Sequence, residues 1–135
     1  MAKISVLIVD KGIDSKGVIA NTAFVLGLTA GREISADTFG EDVVDGDGMK
    51  HKYLTKIGHL VRKAGQNKIR TLREEFADRD DILVIDYTEE AAPADYDQYT
   101  CNLSSHCGEE IKYRALYIRG PADVILPPTK NLPRL

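Results

Sequence analysis

Hydrophobic and polar positions along this chain follow two different periods, and the places where one gives way to the other mark out its elements. Ile4-Ser5-Val6-Leu7-Ile8-Val9 is a short, largely β-branched apolar run stopped by Asp10-Lys11-Gly12. Such a run predicts a central strand buried on both faces, as in a parallel or mixed sheet. The spacing then changes to three and four: Val18, Ile19, Thr22, Ala23 and Leu26 predict a helix capped by Ser15, with Gly27 and Gly31 bracketing its end. Asp42-Val43-Val44 and Lys50-His51-Lys52-Tyr53 flank Asp45-Gly46-Asp47-Gly48. Asp-Gly pairs supply the positive-φ positions of tight turns, so a β-hairpin is expected here.

A further strand is expected at Ile57 to Val61, then a helix over Asn67 to Ala77 with Ile69, Leu72 and Phe76 on one face. Ile82-Leu83-Val84-Ile85 is again apolar and again meets an acid, Asp86, which predicts a second buried strand ending there. A helix over Ala94 to Ser105, a last strand over Tyr113 to Ile118, Gly120-Pro121 and a proline-punctuated tail complete the pattern. Strands alternating with helices make this an α/β layout: a single domain over residues 1–135, with a mixed sheet of about four main strands flanked by helices and a small hairpin. No internal repeat or low-complexity tract interrupts it.

Composition fits that picture. With 135 residues, 43% hydrophobic and 29% charged, the chain is long enough for one real core and too short for two ordinary domains. No apolar stretch approaches the ~18 residues of a membrane span, and no signal-like leader is read, so a cytoplasmic protein without membrane association is expected. The net charge of −3 gives no global attraction for polyanions, which disfavours tRNA as a partner. Beneath the net figure the charge is uneven. Met49 to Arg73 hold eight basic residues and no acid, whereas Glu74 to Asp97 hold ten acids and one cation, Arg79. If both segments are exposed the surface is bipolar, and the basic segment suits a phosphorylated ligand, a nucleic-acid backbone or an acidic partner protein, the whole surface self-association; two ordinary solvated faces are the plainer reading. Cys101 and Cys107, with His106 between, are expected to be free, half-buried thiols. The scattered histidines match no metal-site spacing, so neither metal nor cofactor is expected.

Ligands of open α/β sheets bind beyond the carboxyl ends of strands, where Asp10 and Asp86 are predicted to lie. The loop from Asp10 to Gly17 combines Lys11 and Lys16 with a helix N-terminus, so ammonium charge and backbone N–H groups are placed to meet an anion or a developing oxyanion. It lacks the spacing of a P-loop, and Ser15 capping a helix among solvated lysines is the bland alternative. Asp86 and Thr88 offer a carboxylate and a hydroxyl at a buried strand end, suited to orienting or deprotonating water; a strand-terminal acid capping a turn or paired with a nearby lysine is the structural alternative.

Asp10-Lys11, Ala20-Asn21-Thr22-Ala23, Val25-Leu26-Gly27-Leu28, Gly40 to Asp45 with Asp47-Gly48, Leu116 to Pro121 and Leu132-Pro133 together resemble a family of small bacterial single-domain proteins without an established activity. The resemblance spans nearly the whole chain. It implies a fold similar to the type 2 peptidyl-tRNA hydrolases, which cleave the ester between a peptide and tRNA. The hydrolase residues carry over unevenly. Asn21 stands where those enzymes have a glutamine, Gly17 stands in place of their lysine with Lys16 one position out of register, and Asp86-Tyr87-Thr88 replaces their Asp-Ala-Gly-x-Thr. Gly120-Pro121, Thr129, Leu132 and Leu135 match their closing pattern, which is packing more than chemistry.

The expected site therefore has Lys16, Asp86 and Thr88 as catalytic candidates and Asp10, Lys11, Gly17 and Asn21 as ligand-binding ones. Its occupant would be a small anionic or peptide-like molecule, and its reaction, if it has one, hydrolysis of an ester or amide. The competing reading is a non-enzymatic interaction module, homodimeric or docked to a partner; peptidyl-tRNA hydrolysis is the third.

Overall fold

The computed structural model describes residues 2–91 and 95–135. Its sheet is built on two central strands, β1 (Lys3–Asp10) and β6 (Tyr113–Pro121), with β4 (Gly58–Ala64) and β5 (Leu83–Thr88) at the edges in the order β4-β1-β6-β5. The short β2 (Val43–Val44) and β3 (Lys50–His51) form the separate hairpin. β4 runs parallel to β1, and β6 runs antiparallel to both its neighbours. Hence β1, β4 and β5 all point the same way, and their carboxyl ends share one rim.

Each face of the sheet has its own core. On one side Val6 and Ile8 of β1 and Leu116 and Ile118 of β6 meet α2 (Gln66–Ala77), whose Ile69, Leu72 and Phe76 are fully buried as their spacing predicts. Each such side chain stabilises the fold by roughly 2 kcal/mol. On the other side Val9, Tyr87 and Ala115 meet α1 (Lys16–Glu33) through Leu26. Ser15 caps α1 as expected, its Oγ accepting from the Val18 N–H at 3.3 Å.

Several expectations are corrected. Gly27 and Gly31 do not end α1, which continues to Glu33 and closes on Ile34 in extended conformation; both glycines are exposed, Gly27 within the helix and Gly31 in its last turn, where they cost helix stability without breaking it. The run from Ile82 becomes an edge strand, half-buried along most of its length, and Asp86 lies inside it. The strand continues through the acid because Arg73 of α2 neutralises it there, so the carboxylate does not act as a stop. The proline-punctuated tail contains a further helix, α4 (Ala122–Thr129), with Pro127 and Pro128 in its final turns and Ile125 fully buried against the sheet. The helix expected over Ala94 to Ser105 is α3 (Tyr96–Ser104); position 94 lies outside the described residues. Cys101 on α3, which has no fully buried side chain, and Cys107 at the start of the next turn are free but exposed rather than half-buried. Among the described residues no helix is long and apolar enough to cross a membrane, and no cluster of three or more metal-ligating side chains occurs.

Candidate functional site

A cavity of about 830 Å³ opens between α1, the edge strand β5 and α3, within the size range of sites for small organic ligands. α1 contributes residues three and four apart, from Gly17 and Val18 to Thr29, which one helical face brings into line. Thr22 and Thr29 belong to this stripe, but each hydroxyl donates to a carbonyl of its own helix, to Val18 at 2.8 Å and Val25 at 3.3 Å. Their polar ends are thereby satisfied, and α1 offers a largely apolar wall broken by Asn21. The opposite wall is aromatic. Tyr96 and Tyr99, three apart on α3, stand edge to face with ring centroids 5.9 Å apart. Burial, reinforced by nearby Asp86, Tyr96 and Glu90, pushes the Tyr99 phenol above its usual pKa, so it stays an O–H donor at neutral pH.

The floor contains the polar groups. Tyr87 pairs with Ala115 but Thr88 pairs with Tyr113, so Arg114 is the extra residue of a β-bulge. The bulge delivers the Arg114 side chain to the cavity. Thr88 lines it too, only 2% exposed, with an Oγ1 that has no hydrogen-bond partner among the described residues. Charges in the lining are two acids and one cation. Asp86 accepts from Arg73 Nε at 2.8 Å, and Asp95 caps α3 by accepting from the Gln98 N–H at 2.8 Å. Arg114 makes no ion pair with the described residues. Arg73 is itself held over the Tyr113 ring, 5.5 Å from its centroid, with Arg70 at 5.2 Å, and its bond to Asp86 raises its already high pKa.

Of the residues singled out from the sequence, Gly17, Asn21, Asp86 and Thr88 line this one cavity. The other three do not. Asp10 ends β1 at the shared rim, where its carboxylate accepts from the Gly12 N–H at 3.0 Å and Gln66 Nε2 at 3.1 Å, tying the β1–α1 loop to the start of α2. Lys11 follows it, its N–H donating to the Ala64 carbonyl at 2.9 Å. Lys16 is exposed at the first position of α1, beside the cavity's end but outside its lining. Sequence reasoning missed Arg114, Arg73 and the tyrosine pair. Tyr96 and Tyr99 carried a signal, an i, i+3 aromatic pair behind a capping Asp95. Arg114 carried none, because a bulge is set by the register of two strands.

No curated protein matches the sequence. A solved structure, that of a protein of unknown function, Atu0240 from Agrobacterium tumefaciens, is similar over 100% of this chain and 98% of its own, with a TM-score of 0.80 at 19% identity. At that identity the likeness shows the fold alone. A family described as protein of unknown function, DUF2000, matches residues 3–135, and the chain therefore belongs to the DUF2000 family.

Proposed function

We propose that this protein binds a small anionic or peptide-like ligand in the cavity between α1, β5 and α3. The observation that carries this reading is a cavity of about 830 Å³ with largely apolar and aromatic walls and one guanidinium, Arg114, that makes no ion pair with the described residues. An anionic group bound beside Arg114 gains a charge-assisted hydrogen bond from a side chain with no competing carboxylate. Gly17 allows close approach at one end of the cavity, Asn21 adds a polar contact on the α1 wall, and Lys16 lies beside Gly17 at the same end; Lys11 is turned towards β4 and Gly65 and takes no part.

Binding is favoured over cleavage. Asp86, the residue suited to activating water, is engaged by Arg73, and Lys16 does not line the cavity that an ester or amide would enter. Peptidyl-tRNA hydrolysis, with the related fold it implies, fits less well still, because a phosphate backbone needs several cations and Arg114 is the one that lines the cavity. The interaction-module reading draws on a different observation, the exposed apolar side chains Phe24 (67%) and Leu28 (65%), one turn apart on α1.

The test uses 8-anilinonaphthalene-1-sulfonate, an apolar dye with one anionic group, and the variant Val25→Trp, which fills the cavity from a partly exposed position. The wild-type chain is expected to bind the dye saturably, with enhanced fluorescence and a rise in Tm, and Val25→Trp to lose both. Non-saturating fluorescence, or binding unaffected by Val25→Trp, overturns the reading. Sedimentation of the wild type as a concentration-dependent dimer that Phe24→Ser dissociates favours the interaction module instead.

A further inference from the structure

We infer that the cavity is built for a monocarboxylate with an apolar, aromatic-sized body, its carboxylate on Arg114; the inference rests on the cavity being the binding site proposed above. Pairing points to the head group. Asp86 is bonded to Arg73 and Asp95 to the Gln98 N–H, so Arg114 is the charged side chain of the lining with no bonded partner among the described residues. One guanidinium matches one carboxylate, to which it presents two parallel N–H donors.

The surroundings set an upper limit on ligand charge. The cavity lies at the β5 edge of the sheet, and β5 with the first two residues of α3 belongs to the segment between Glu74 and Asp97 that carries ten acids. The basic strand residues Arg62 and Lys63 lie on β4, at the opposite edge. A polyanion such as a nucleotide triphosphate meets one favourable cation and a field of like charge, whereas a monoanion is matched.

The walls define the rest of the molecule. α1 presents Val18, Val25 and Leu26 together with the methyls of threonines whose hydroxyls are already bonded. α3 presents two phenol rings in edge-to-face array, a geometry that extends naturally to a third aromatic ring. The Arg114 guanidinium only donates, so a carboxylate, which only accepts, suits it where an ammonium does not.

The experiment titrates 4-phenylbutanoate and its neutral isostere 4-phenylbutanamide into the full chain by calorimetry at neutral pH, with ATP as the polyanion. The wild type is expected to prefer the acid over the amide by roughly tenfold or more, the usual worth of a charge-assisted hydrogen bond, and to bind ATP no better than the amide. Arg114→Gln should abolish the preference by weakening the acid alone, and Arg114→Lys should keep part of it. Equal binding of acid and amide by the wild type, a preference that survives Arg114→Gln, or tighter binding of ATP overturns the inference while the cavity reading stands. Should the Gln variant fail to fold, loss of the wild type's preference at high salt replaces it as the readout, and a preference indifferent to salt is the overturning result. Dye binding that Val25→Trp abolishes, with neither phenyl compound bound, also removes the assigned class. Failure of the dye as well removes the cavity itself.

Discussion

Thr88 and Asp86 lie two apart on one strand, and their environments separate their roles. Asp86 is an acid with a dedicated guanidinium, and Arg73 is fixed in turn by the Tyr113 ring beneath it, so this pair fastens α2 to the edge strand. Because both partners are partly exposed, solvent screening keeps the pair's contribution to about 1 kcal/mol or less. Thr88 is the opposite case, a buried hydroxyl that helps nothing in the free chain. Thr88→Val keeps the shape and β-branching and removes the unsatisfied oxygen. It is expected to leave chemical-denaturation stability unchanged or raise it by on the order of 1 kcal/mol, and to leave 4-phenylbutanoate binding unchanged in the calorimetric titration, since the oxygen is sealed from the cavity. A clear loss of stability would mean that the hydroxyl already has a partner in the free protein.

At the level of elements, the junction of β5 with β6 is held by close approach as well as by hydrogen bonds. A Cβ placed on Gly120 would lie 2.9 Å from the Asp81 carbonyl oxygen and 3.0 Å from Ile82 Cγ1. The carbonyl belongs to the backbone leading into β5 and cannot rotate away, so Gly120→Ala is expected to cost about 1–3 kcal/mol of overpacking, read as a lower denaturation midpoint with an unchanged m-value. Gly27→Ala, at an open helical position, should stabilise by roughly 1 kcal/mol. The contrast explains what the linear pattern revealed. Gly120-Pro121 was legible as the end of the last strand's periodic run, but the reason for the glycine was not, since it lies in a neighbour some forty residues earlier. For the same reason α2, whose burial follows its own period, was legible almost to the residue, whereas Ile82 to Ile85 read as central and proved to be an edge. An apolar run reports that side chains are covered, and helices on both faces of a sheet can cover an edge strand as well as a central one. Four of the seven site residues read from the sequence line one cavity because α1 packs beside β5, while Asp10 and Lys11 at the end of β1 face the start of α2 and β4 instead. Arg114, placed by a two-strand register, was beyond any local reading.

Across the whole molecule, stability is concentrated away from the cavity. β1 and β6 are central, with fully buried side chains on both faces of the sheet, and α2 buries a full stripe. No side chain of α3 is fully buried; Tyr96 is 76% exposed, and the helix packs mainly against the 3-10 turn Glu89–Ala91. A helix of nine residues with so little tertiary support opens with a small free energy, because packing rather than propensity stabilises short helices. Yet this helix carries both tyrosines of the cavity wall, so whatever fills the cavity supplies the packing α3 lacks. Amide hydrogen exchange followed by mass spectrometry should therefore show peptides spanning 96–104 exchanging much faster than those of α2 in the free protein. Saturation with 4-phenylbutanoate should slow exchange in α3 and leave the already protected α2 unchanged. Equal protection of α3 and α2 without ligand would mean that α3 is anchored independently of the cavity, and protection that appears uniformly across the chain would place the ligand's effect on global stability rather than on this wall.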